Sequence, residues 1–154
     1  MKNIIQLNYP LDKVGLLKDA ELAREAAVVY TDSRNPHFHK NEWKIKKYTS
    51  PLIEKMMEDL NILHNGKPRF YFLAPNFTLP RHVDNNTTCS FNFVLSDDPA
   101  PVSFDEEDVL YYQGLLNTTV HHWVRNGPKE RILFKISIFD TSFEEMAKTL
   151  KYVL

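Results

Sequence analysis

The sequence predicts a mainly β fold with flanking helices, an α+β chain: two helices, then a sandwich of about seven or eight short strands, then a closing helix. Three observations carry that prediction. The chain has 154 residues, 43% hydrophobic and 25% charged, enough to bury about two thirds of its unfolded surface in one core without disulfides or structural metals. Its apolar pattern changes near Gly66, from helical spacing before it to short aromatic and β-branched runs after it. Those later runs are bounded by Pro75-Asn76, Asp97-Asp98-Pro99 and Asn126-Gly127-Pro128, turn chemistry at the intervals of a sandwich or barrel.

From Leu11 to Tyr30 the residues Val14, Leu16, Leu17, Leu22, Ala26 and Val29 recur among charged side chains, predicting an amphipathic helix with a break near Asp19. Residues 31–50, with Asn35-Pro36 and many Lys and His, read as loop with a short strand. Ser50 as N-cap and Pro51 in the first turn open a second helix whose inner face is Ile53, Met56, Met57 and Leu60, and Asn65-Gly66 ends it. Strands follow at Phe70–Leu73, Ser90–Leu95, Val109–Tyr112, His122–Val124 and Ile132–Phe139. A capping box at Ser142 and Glu145 opens the last helix. No repeat, low-complexity segment or linker interrupts the chain, so residues 1–154 are expected to form a single domain.

Composition excludes several functions. Nineteen Lys+Arg against twenty Asp+Glu leave a formal charge of -1, without the basic field of nonspecific nucleic-acid binding. Lys44, Lys46 and Lys47 around Trp43 and Tyr48 could form a small nucleic-acid strip, but a surface strand or helix edge is the simpler reading. Cys89 is the one cysteine and forms no internal disulfide; with no base in view, a packing role fits it. No signal-type apolar segment and no long uncharged apolar run occurs, so a cytoplasmic chain without a membrane partner is expected. The N-x-[ST] triplets at Asn76, Asn85, Asn86 and Asn117 then read as coincidence. The run Asp105-Glu106-Glu107-Asp108 lacks the glycine-turned loop of a calcium site and reads as a solvated loop.

Six histidines deserve pursuit, because imidazole is the commonest metal ligand. His82-Val83-Asp84 follows a strand-like segment, and extended residues two apart project to one face about 6.5–7 Å apart. An imidazole and a carboxylate completed by a distant His make the 2-His-1-carboxylate set of non-haem Fe(II) sites. His121-His122 is the later histidine pair. In a hairpin HHWVRNGPKERILF with an even loop, Val124 pairs with Arg131 and His122 with Leu133, so His122 and Arg131 share a face and are diagonal neighbours roughly 7–8 Å apart. An odd loop selects His121 instead. An Arg on that face suits the far carboxylate of a metal-bound dicarboxylate, through its planar fork.

The string HVD, about forty residues, then HHWVRNGPKER resembles the Fe(II)- and 2-oxoglutarate-dependent dioxygenases, most closely the aspartyl/asparaginyl β-hydroxylase and prolyl-hydroxylase types. Asn117 ending a strand, His122, Val124, Asn126 and Arg131 carry the second half of the likeness, which spans about residues 69 to 140 and favours His122 over His121. It implies a double-stranded β-helix, or jelly roll, at 67–140, with 1–66 as helical support and 141–154 as a C-terminal helix. His82, Asp84 and His122 would hold Fe(II), and Arg131 the distal carboxylate of 2-oxoglutarate, with Asn92 and Tyr71 touching the cosubstrate. The implied reaction, with O2, decarboxylates 2-oxoglutarate to succinate and hydroxylates an amino acid, a peptidyl side chain or a related small polar molecule. The sequence departs from its relatives in its length, its doubled histidine and the lack of a glycine-rich approach to His82.

Competing readings are a cupin-like metalloprotein that does not use 2-oxoglutarate and a non-catalytic jelly-roll binding module. A polar surface turn competes for Asp84-Asn85-Asn86, and a strand-edge pairing with Glu130 for Arg131. His37-Phe38-His39 repeats the His-x-ligand spacing without a third ligand and reads as solvated or part of a lid; His64 reads as helix-terminal. Residues 31–50 and 96–108 are expected at the entrance.

Overall fold

The computed structural model describes residues 2–29, 43–97 and 99–154. Its elements run β1 (Ile4–Gln6), α1 (Lys13–Arg24), β2 (Val28–Val29), β3 (Trp43–Lys47), α2 (Pro51–Asp59), β4 (Gly66–Leu73), β5 (Thr78–His82), β6 (Cys89–Val94), β7 (Val102–Phe104), β8 (Glu107–Val109), β9 (Gln113–Asn117), β10 (His122–Arg125), β11 (Arg131–Ile138) and α3 (Phe143–Lys148). The expected loop at 31–42, with Asn35-Pro36, His37 and His39, lies outside the described residues, as do Tyr30 and Asp98.

Strand alternation builds two layers. A seven-stranded sheet, ordered β1-β9-β6-β11-β4-β3-β2, faces a four-stranded sheet, β5-β10-β7-β8, and every pairing is antiparallel. This is the jelly-roll arrangement. On the outer face of the large sheet Phe70, Phe72, Phe91, Phe93, Leu115, Phe134, Ile136 and Ile138 pack against Leu16, Ala20 and Ala23 of α1, Ile53, Met56 and Met57 of α2, and Phe143 and Met146 of α3. The intervening residues point the other way, toward the small sheet. Both faces of β6 are therefore covered, and all six of its residues are buried. The N-terminal 66 residues give β1, β2 and β3 to this sheet as well as two helices.

The helices differ in detail from the pattern. α1 runs unbroken through Asp19, capped by Asp12, whose side chain accepts from Gly15 N. It buries Leu16, Ala20 and Ala23, while Val14 and Leu22 are 68% and 61% exposed. It stops at Arg24 because β-branched Val28 and Val29 enter the sheet beside β3. α2 starts at the expected cap but ends at Asp59, well before Gly66. Asn61 takes φ 58°, and Asn61 N and Ile62 N donate to Glu58 O and Met57 O, the Schellman closure that left-handed Asn permits. His64 consequently sits in an exposed turn beyond the helix.

Ser50 joins both helices: its Oγ accepts from Ile53 N at 3.2 Å and donates to Asp19 Oδ2 at 2.6 Å. Ser50→Ala is expected to lower stability by about 1 kcal/mol in urea unfolding; an unchanged midpoint would mean that water caps the helix equally well.

Other departures trace to burial. The expected strand 109–112 divides, since Tyr111 leaves the sheet and buries its ring with Leu110 and Tyr112 exposed on either side; β9 begins at Gln113. Asp105 to Asp108 are exposed, as a solvated loop requires, with Asp105-Glu106 at the tip of a β7–β8 hairpin and Glu107-Asp108 in β8, and Asp105 pairs with Arg81 at 2.7 Å. The β3 lysines do not make one strip, because alternation sends Lys44 and Lys46 to one face and Lys47 to the other, with Trp43. Among the N-x-[ST] asparagines, Asn76 and Asn86 have φ of 62° and 60°, and Asn117 accepts from Thr119 N and Oγ1. These are turn roles that Asn fills well.

Cys89 is fully buried, and that burial pushes its thiol up to about 11. Iodoacetamide at pH 8 is expected to leave it unmodified in the folded protein and to alkylate it in urea; rapid alkylation of folded protein, read by mass spectrometry, would contradict this packing. No helix among the described residues is long and apolar enough to cross a membrane.

Candidate functional site

The small sheet brings the two histidines together. His122 on β10 is the direct partner of His82 on β5, and their ring centroids are 4.4 Å apart. Register shifts by one residue just beyond them: Val124 pairs with Leu79, so Pro80 and Arg81 together oppose Trp123. This β-bulge lets Leu79 and His82, three residues apart, both face inward. Proline lacks the N–H that a regular ladder position needs and is accommodated at such an irregularity.

Asp84 lies two residues past His82, in the turn after β5, with its backbone N–H donating to Thr118 O. Its Oδ1 is 3.2 Å from His82 Nε2 and 3.2 Å from His122 Nε2. Both imidazoles are oriented from behind: His82 Nδ1 is 2.6 Å from Pro80 O and His122 Nδ1 is 2.8 Å from Val120 O. A carbonyl can only accept, so each Nδ1 carries a proton and each Nε2 is turned toward Asp84. The three candidate ligand atoms lie within 4.8 Å of one another. This donor set, two imidazoles and a carboxylate, could hold a divalent transition metal. His121 is exposed, outside this group.

The second carboxylate oxygen, Asp84 Oδ2, contacts Lys135 Nζ on β11. Both side chains are nearly buried, 11% and 13% exposed. Burial pushes the Asp84 carboxyl up, but Lys135 and the hydrogen bonds from His122 and His82 outweigh it and hold it well below the usual carboxylate range. Burial likewise disfavours the Lys135 ammonium, and Asp84 more than restores it, leaving it above the ordinary lysine value.

The predicted β10–β11 hairpin does not form. β10 pairs with β5 and β7 in the small sheet, and β11 with β4 and β6 in the large one, so Leu133 pairs with Tyr71 and Val94 instead of His122. Residues 126–130 cross between the layers. Buried Asn126 pins that crossing, its Nδ2 within hydrogen-bond reach of Leu73 O, Ala74 O and Lys129 O. His122 and Arg131 therefore line one cavity from opposing sheets, and the diagonal-neighbour geometry is replaced by a cross-layer one. Glu130 pairs with Arg24 of α1 at 2.7 Å, leaving Arg131 to turn inward.

Arg131 is 4% exposed. Its Nη1 donates to Ala100 O at 2.8 Å and its Nη2 to Tyr111 Oη at 3.3 Å. Tyr111 Oη also accepts from Asn92 Nδ2 at 3.1 Å, and Asn92 Oδ1 accepts from Ser90 Oγ at 2.7 Å. With two donors already aimed at its oxygen, the Tyr111 hydroxyl has its own proton to give to a ligand. Sequence reasoning missed Tyr111, which reads as one more aromatic in a strand, and Lys135, which reads as the polar position of an alternating strand. Tyr71 lines the same cavity, with Trp43 at a ring-centroid distance of 5.8 Å. The cavity volume is about 250 Å³.

No protein-family model matches the sequence, and no curated protein matches it. Solved structures do resemble it. A prolyl-4-hydroxylase of Pseudomonas putida aligns over 88% of this chain and 91% of its own, with TM-score 0.68 and 14% identity. A Trichoplax adhaerens prolyl hydroxylase, solved with a hypoxia inducible factor peptide fragment, aligns over 96% and 86% with TM-score 0.66 and 13% identity. The viral collagen prolyl hydroxylase of Paramecium Bursaria Chlorella virus-1, solved with 2-oxoglutarate, aligns over 89% and 95% with TM-score 0.59 and 9% identity. The chain has the fold of the Fe(II)- and 2-oxoglutarate-dependent oxygenases.

Proposed function

We propose that this chain is an Fe(II)- and 2-oxoglutarate-dependent oxygenase that hydroxylates an amino acid, a peptidyl side chain or a related small polar molecule. The observation that supports it best is the meeting of His82 Nε2, His122 Nε2 and Asp84 Oδ1 in a cavity that buried Arg131 also lines. The donor types suit non-haem Fe(II). Bound there, the iron would supply O2 activation coupled to decarboxylation of 2-oxoglutarate to succinate and CO2.

The protein's own groups do the rest. Pro80 O and Val120 O keep each imidazole in the tautomer that presents Nε2. Lys135 occupies Asp84 Oδ2, so Oδ1 alone is turned toward the histidines. Arg131 and the Tyr111 proton bind the distal carboxylate of the cosubstrate; Asn92 acts by orienting Tyr111, and Tyr71 forms a wall beside it. The two sheets exclude bulk water, which strengthens each of these charged contacts. In this reading residues 67–140 are the catalytic core of one domain, supported by 1–66 and 141–154. The peptide held by the Trichoplax neighbour makes a peptide substrate admissible beside a small molecule.

Anaerobic addition of Fe(II) and 2-oxoglutarate is expected to produce the weak visible charge-transfer band of the chelate, and admission of air to yield succinate. Absence of both would sink the proposal. Arg131→Met should weaken 2-oxoglutarate binding by about 2–5 kcal/mol, the range for truncating one partner of a buried hydrogen-bonded charge pair, and leave metal affinity unchanged. An unaltered cosubstrate affinity would remove Arg131 from the site.

A further inference from the structure

The inner face of the large sheet carries a row of cations that cosubstrate binding does not use. Lys47 on β3 lies opposite Arg69 on β4, and Arg69 lies opposite Lys135 on β11. Side chains so placed are about 4.5–5.5 Å apart at Cβ, and like charges there repel. Lys135 is answered by Asp84. Arg69 is not: its guanidinium makes no hydrogen bond or ion pair among the described residues, and its Nε is buried without a partner. A buried N–H left unmet is destabilising, and the half-buried Arg69 side chain stands between two like charges, so this row favours an anion beside Arg69.

Charge and distance say which anion. Three cations, Arg69, Arg131 and Lys135, line the cavity with one carboxylate, Asp84. A divalent metal and a dianionic cosubstrate cancel one another, so the cationic surplus persists in the loaded site. Arg131 lies opposite Leu73, four residues along β4 from Arg69, about 13 Å of extended strand. Tyr71 stands between them on the same face. A five-carbon dicarboxylate anchored on Arg131 and chelated at its other end has no carboxylate left for Arg69.

We propose that Arg69, flanked by Lys135, is the anchor for a carboxylate of the primary substrate, which makes that substrate an acid. The inference rests on the oxygenase reading of the same cavity. Lys135 touches the candidate ligand Asp84, so a carboxylate between Lys135 and Arg69 sits close to the reacting centre. The C–H attacked is therefore only a few bonds from that carboxylate. Arg suits the role because its planar fork takes a carboxylate bidentately. The carboxylate belongs either to a free acidic amino acid or to an acidic side chain in a peptide.

The test loads the protein with Mn(II), saturates it with 2-oxoglutarate, and titrates L-aspartate, N-acetyl-L-aspartyl-N-methylamide and the neutral N-acetyl-L-asparaginyl-N-methylamide by calorimetry. At least one acid is expected to bind roughly tenfold or more tightly than the neutral probe. L-aspartate alone identifies a free acid as the source, and binding of the capped aspartyl compound a peptide. Arg69→Gln should weaken the acid about tenfold or more and leave 2-oxoglutarate affinity within about twofold, while Arg69→Lys retains part of the acid binding. Equal binding of the neutral probe, no acid binding at tens of millimolar, or an acid affinity indifferent to Arg69→Gln overturns the proposal. Failure of 2-oxoglutarate itself to bind overturns the oxygenase reading instead, and the same titrations without cosubstrate then decide the anion site separately.

Discussion

His122→Ala is expected to abolish stoichiometric binding of Fe(II) or Mn(II), while His121→Ala leaves it intact. The two residues are adjacent in sequence, yet His122 is 7% exposed with its Nε2 3.2 Å from Asp84 Oδ1, whereas His121 is exposed to solvent outside the group. Removing one of the three proposed ligand side chains leaves an imidazole and a carboxylate, too few to compete with water for a divalent ion at micromolar concentration. Calorimetric titration of both variants measures this directly. The opposite pattern, with His121→Ala the damaging change, would mean that β10 is rotated by one residue relative to β5. A further control is structural: both variants keep the His82 side of the pair, so equal thermal midpoints would assign the loss to ligation and not to unfolding.

Lys135→Met is expected to destabilise the metal-free protein by about 3–5 kcal/mol, because it strands Asp84 as a buried charge without its cation. Methionine fills much of the aliphatic volume, so packing loss contributes little. The pH window follows from the two directions. Asp84 is held below its ordinary value, so its stabilising effect is present above about pH 4 and is lost as pH falls through its folded value. Lys135 is held above its ordinary value, so its effect is present below about pH 10 and is lost as pH rises through its folded value. The pair is thus intact across the neutral range, and the variant should be destabilised throughout it. A divalent metal supplies replacement positive charge to Asp84, so added Mn(II) should raise the melting temperature of Lys135→Met more than that of the parent. Equal metal-free stability at pH 7 would show that Lys135 and Asp84 do not depend on each other.

Much of the candidate site could be read from spacing. His82 and Asp84 are two apart, and extended backbone places such residues on one side; in the folded chain both join one cluster with His122. The bulge at Pro80-Arg81 was not readable, because it arises from how β5 meets β10 and not from β5 alone. The hairpin inference failed for a similar reason. A turn such as Asn126-Gly127-Pro128 marks a reversal of direction equally well when the next strand pairs with its predecessor and when it crosses to the facing sheet. Buried Asn126, hydrogen-bonded to carbonyls of 73, 74 and 129, is what commits the chain to crossing.

The sequence by itself determined the periodicities and their punctuation: the helix caps at Ser50 and Ser142, the aromatic strands after Gly66, the paired candidate ligands at His82 and Asp84, and a cation at Arg131. These are properties of neighbouring residues, expressed through backbone geometry alone. Only the tertiary structure decided that the polar face of β11, with Arg131, Lys135 and Ser137, looks into a covered cavity and not into water. Alternation distinguishes two faces of a strand, but what covers each face depends on a second sheet assembled from distant segments. Covering that face gives Lys135, Tyr111 and the unmatched Arg69 their significance, since a charge or hydroxyl that water would satisfy must there find a protein group or a ligand.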